Sequence, residues 1–76
     1  MMTLDQCASC LADRSRSGEE YSEKLENWID AQVDAYLAGF RVAETATKRM
    51  ELARLFSGKA PATELSEHMR KRILRE

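Results

Sequence analysis

The stretch AYLAGFRVA, Ala35 to Ala43, decides how this chain folds. It lies at the middle of 76 residues and carries Gly39 inside what otherwise reads as one long helix. Gly in a helix interior costs about 1 kcal/mol relative to Ala. Either the chain turns there, or the missing side chain lets a second helix come close.

The apolar positions around it favour continuity. From Tyr21 they run through Leu25, Trp28, Ile29, Val33, Tyr36, Leu37, Phe40, Ala43, Ala46 and Met50. At about 100° per residue almost all of these share one face. Glu23, Glu26, Asp30, Asp34, Arg41, Glu44 and Lys48 take the other. A turn would normally rotate such a stripe, and at Gly39 the phase holds. Every fourth residue through Gly39 is small: Ala31, Ala35, Gly39, Ala43 and Thr47. Rows four apart are the ridges on which helices pack, so this row invites close approach. A kink or hinge at Gly39 is the rival reading.

The helix ends complete an all-α plan. Thr3 caps a first helix, with Gln6 placed for a capping box. Ser17 stands before Glu19 and Glu20 as the cap of the second, and Gly58 follows Ser57 as its stop. Thr63 caps the third, whose early Glu64 and Glu67 and late Arg70, Lys71, Arg72 and Arg75 suit the helix dipole. The reading is a single domain over 1–76. A short helix (about 3–16) and a short C-terminal helix (63–75) flank one long amphipathic helix (18–57), straight or kinked.

A helix over 18–57 would be roughly 60 Å long, and its neighbours of about 20 Å could not cover its stripe. So short a chain is marginal by itself. Dimerisation would complete the bundle, with Trp28, Ala35, Tyr36, Gly39, Phe40 and Ala43 as the self-association surface. If Gly39 is instead a hinge, the chain closes into a compact bundle and the acidic segment 18–40 can lie against the basic segment after it.

Charge is divided along the chain. Residues 18–40 hold six acids against Lys24, and residues 41–76 hold nine bases against five acids. Glu19, Glu23, Glu26, Asp30 and Asp34 form a carboxylate stripe able to meet a basic partner, although a solvated face needs no partner. Arg70, Lys71, Arg72 and Arg75 are candidate nucleic-acid contacts, although the chain is not basic overall and shows no helix-turn-helix. Cys7 and Cys10 form one C-x-x-C pair. A structural zinc takes four ligands, and packing is the plainer use of a cysteine on an apolar stripe. His68, the one histidine, has no nucleophile or carboxylate arranged with it for catalysis.

These features point away from an enzyme and from any cofactor. They favour a small helical adaptor, regulator or inhibitor acting as a homodimer on a protein partner. Phage and plasmid accessory proteins of this size and class are common, which is an analogy only. A nucleic-acid-binding regulator is the first alternative, and a zinc-stabilised module through Cys7 and Cys10 the second. The N-terminal MMTLDQCASC has neither a basic leader nor an apolar core, so the expected compartment is the cytoplasm, with reduced thiols and no membrane association.

Overall fold

The computed structural model describes all 76 residues. Four helices form in chain order: α1 (Leu4–Ser15), α2 (Glu23–Leu37), α3 (Thr45–Lys59) and α4 (Glu64–Leu74), with a short 3-10 turn at Val42–Glu44 before α3. There are no strands. The Cα trace spans 34 × 24 × 21 Å, which leaves no room for a helix of about 60 Å.

The segment expected as one helix over 18–57 is therefore two helices. α2 stops at Leu37, with Ala38 as its cap and Gly39 just beyond. That is the ordinary place for glycine at a helix end. Phe40 N–H donates to the Leu37 carbonyl at 3.0 Å, tightening the last turn. Arg41 is extended, and its N–H is held at 3.2 Å by the Glu44 carboxylate. No second helix packs on Gly39. A Cβ placed there would meet only the Met1 side chain.

The stripe shows why continuity was misleading. Ala43, Ala46 and Met50 continue the α2 phase, yet all three are exposed. α3 buries Leu52, Ala53 and Phe56 instead. The true apolar face is thus rotated away from the one that α2 would propagate. Leu52 and Phe56 carry far more transferable surface than two alanines, and burying them outweighs regular phase.

The other ends divide similarly. The Thr3–Gln6 capping box forms, and Thr63 caps α4 through the Ser66 N–H. Ser17 does not cap α2. Gly18 takes φ 76° and turns the chain, and Ser22 becomes the cap by accepting from the Leu25 N–H at 3.2 Å. Gly58 does not end α3, which runs to Lys59. There Pro61 forces the preceding Ala60 out of the helical region, to ψ 150°.

Around the bundle each helix touches two close neighbours: α1 lies beside α2 and α3, and α4 beside α2 and α3. The consecutive helices α2 and α3 are diagonal to one another and touch little. One core of fourteen buried apolar residues joins all four, including Leu11, Ile29, Leu52, Phe56, Met69 and Ile73. No helix is long and apolar enough to cross a membrane.

The two turning glycines should respond differently to alanine. Gly39→Ala needs only the flexible Met1 side chain to swing aside, so stability measured by urea denaturation should stay within about 1 kcal/mol of wild type. Gly18→Ala places a side chain at φ +76°, in open space but in a strained backbone region, and should cost about 1–2 kcal/mol.

Candidate functional site

The acidic stripe is largely committed within the chain. Arg72 of α4 reaches across to α2 and holds Asp30 with two hydrogen bonds, Nε to Oδ1 at 2.9 Å and Nη2 to Oδ2 at 2.5 Å. Such a fork is the geometry in which arginine binds carboxylate best. The Glu26 carboxylate lies 4.0 Å from the same guanidinium and accepts the Tyr21 hydroxyl proton at 2.9 Å. Glu19 is taken by Arg14 of α1 at 2.5 Å, which holds the Glu19 carboxyl below its usual range. Only Glu23 and Asp34 remain exposed without an ion pair. A charge reversal at Asp30 would therefore disturb the α2–α4 contact as well as any docking face.

The basic cluster is divided in the same way. Arg72 is bound to Asp30, and Arg70 pairs with Glu67 one turn away. Lys71 and Arg75 are exposed, Arg75 as the left-handed residue closing α4. Arg49 of α3 donates to the Ile73 carbonyl at 3.0 Å. Burial and the neighbouring Arg75 push its pKa down.

The residues expected at a self-association face are not gathered on one exposed surface. Tyr36 is core, 2% exposed. Phe40 packs edge-on against it at 5.4 Å and is covered by the Lys48 ammonium, 4.7 Å from the ring centroid. Trp28 is half-buried beneath the Arg14 guanidinium, at 4.6 Å, a cation–π contact. Ala35 is half-buried, while Gly39 and Ala43 are exposed in and beyond the turn.

Cys7 and Cys10 both face Gln32 of α2. The Cys7 thiol donates to its main-chain carbonyl at 3.5 Å, and the Cys10 thiol to its side-chain oxygen at 3.9 Å. Burial, with Cys10 adding, pushes the Cys7 thiol up to about 11. No group of three or more His, Cys, Asp or Glu side chains converges as a metal site would require. His68 stacks on Tyr21 at 4.9 Å, with Nε2 3.6 Å from a Glu64 oxygen.

No family model, curated protein or solved structure matches this chain.

What the molecule leaves uncovered is the outer side of α3. On that helix Met50 is 60% exposed; Val42, 89% exposed, lies in the turn before it, and Met1, 90% exposed, lies at the chain start. Beside Met50 an open groove of about 540 Å³ runs between α3 and the start of α1, floored by Leu4 and Leu55 and flanked by Glu51 and Arg54. Arg54 has no hydrogen-bond or ion-pair partner. None of Leu4, Val42 or Leu55 stood out as a surface residue in the sequence. The signal that could have found this face is the Leu52–Phe56 spacing, which fixes the inner side of α3 and hence the outer one.

The two thiols should differ in reactivity. At pH 8, Cys10, partly accessible, should be alkylated by iodoacetamide in the folded protein, whereas Cys7, buried and held as the thiol, should react only on unfolding. Mass spectrometry of the labelled peptide distinguishes the two. A second expectation concerns Tyr21, which burial first, and then the Glu26 contact, raise from 10.0 to about 12. The folded state thus holds this proton more tightly than the unfolded state, so the stabilisation is full below pH 10 and falls as pH rises towards 12. Wild type should lose melting temperature relative to Tyr21→Phe across that window, and parallel curves would refute the assignment.

Proposed function

We propose that the protein is a non-enzymatic helical interaction module, a small adaptor, regulator or inhibitor that works as a homodimer through a helical surface. The observation that carries this reading is Met50, 60% exposed on the outer side of α3 beside a groove that Leu4 and Leu55 also line. An apolar groove left open beside an exposed large apolar side chain on a small protein usually marks an interaction site. Methionine suits such a surface because its flexible, polarisable side chain adapts to what it meets. The acidic stripe supports the reading less than the sequence suggests, because Asp30, Glu26 and Glu19 have partners within the chain. The nucleic-acid alternative loses Arg72 and Arg70 to internal pairs. A zinc-held module lacks a third ligand beside Cys7 and Cys10.

The test is site-specific photocrosslinking in producing cells. A photoreactive residue at position 50 should give discrete adducts, and one at exposed position 23 on α2 should give none. No adduct from position 50, or equal yields from both, would remove α3 as the working surface.

A further inference from the structure

We propose that the outer face of α3 is the dimer interface, and that two copies pair through antiparallel α3 helices about a two-fold axis. This deepens the interaction-module reading and rests on it, since it names the partner of the same surface as a second copy of this chain.

The order of side chains along the groove carries this pairing. Its α3 wall consists of Thr47, Met50, Glu51, Arg54, Leu55 and Gly58. In a two-fold interface, if residue i meets residue j, then j meets i. Antiparallel helices with the two-fold axis level with the midpoint of Leu52 and Ala53 pair Glu51 with Arg54 of the second copy and Thr47 with Gly58, while Met50 lies along one edge of the contact and Leu55, about 140° further round the helix, along the other. Both pairings are chemically matched: opposite charges beside the axis, and small residues on either side of them that leave room for the partner helix. The Glu51–Arg54 pairing occurs twice by symmetry. It also gives Arg54, which has no ion-pair partner in its own chain, a carboxylate. Glu51 is engaged only by Lys48, at 3.4 Å and on the exposed surface. A parallel arrangement would instead set Glu51 against Glu51 and Arg54 against Arg54, and like charges repel. One helix face is a small interface, so the dimer should dissociate on dilution.

Charge reversal reads this pairing directly. Glu51→Arg and Arg54→Glu each create like-charge contacts across the axis, without touching the core. Both positions are exposed, and circular dichroism should show unchanged folds. Sedimentation equilibrium from millimolar to micromolar protein should give a wild-type dimer that dissociates with dilution, and a monomer for each single variant at every concentration. An equimolar mixture of the two variants should dimerise, because one chain then carries bases at both positions 51 and 54 and the other carries acids at both. The double variant should also dimerise. A wild type that stays monomeric at millimolar concentration would overturn the proposal, as would a dimer indifferent to both reversals. Adducts to other proteins from position 50 would then keep the interaction-module reading without its α3 dimer, and their absence would remove that reading as well.

Discussion

The bundle depends on burying Leu52 and Phe56 of α3 in the same core as Leu11 of α1 and Ile29 of α2. A chain of 76 residues has too little apolar surface for two separate cores, and a domain this small is stable only if nearly all its large apolar residues share one. A straight helix through Gly39 would hold the α3 side chains far from α1. The turn at residues 38–41 gives up a few helical hydrogen bonds, and in return all four helices close on a single interior. The cost is modest, because Gly39 and the residues after it add little to a continuous helix.

Diagonal placement of α2 and α3 follows from that turn and shapes the electrostatics. The acidic α2 does not lie against the basic residues that come next in the chain. It lies against α4, whose Arg72 forks onto Asp30 beside Glu26. Charge complementarity between the two halves of the sequence is real, but it works between α2 and α4. This draws carboxylates out of the solvated stripe and arginines out of the basic cluster, leaving a surface whose distinctive feature is apolar.

The same geometry sets the outer side of α3. Once Leu52, Ala53 and Phe56 face inward, Met50 faces outward, and Glu51 and Arg54 stand beside the groove. Ala43 and Ala46 are exposed on the same helix and its approach, where their small size offers a partner backbone close access. A core requirement on one side of a short helix therefore produces an uncovered face on the other, with no further element available to cover it.

Local chemistry made the all-helical character, the capping of α1 by Thr3 and α4 by Thr63, and the connection at Pro61 legible in the sequence, because each depends on residues within a turn of one another. The α2 stripe was legible up to Leu37 for the same reason. The sequence could not say whether Gly39 lay inside a helix or just past one, since alanines 43 and 46 fit the stripe without requiring burial. Nor could it choose between Ser17 and Ser22 as the cap, which turned on the left-handed Gly18. Tertiary packing decided these points, and with them which charges pair internally and which face remains open. The physical reason is that burying large side chains in one shared core outweighs the weak local preference of small residues for a regular phase.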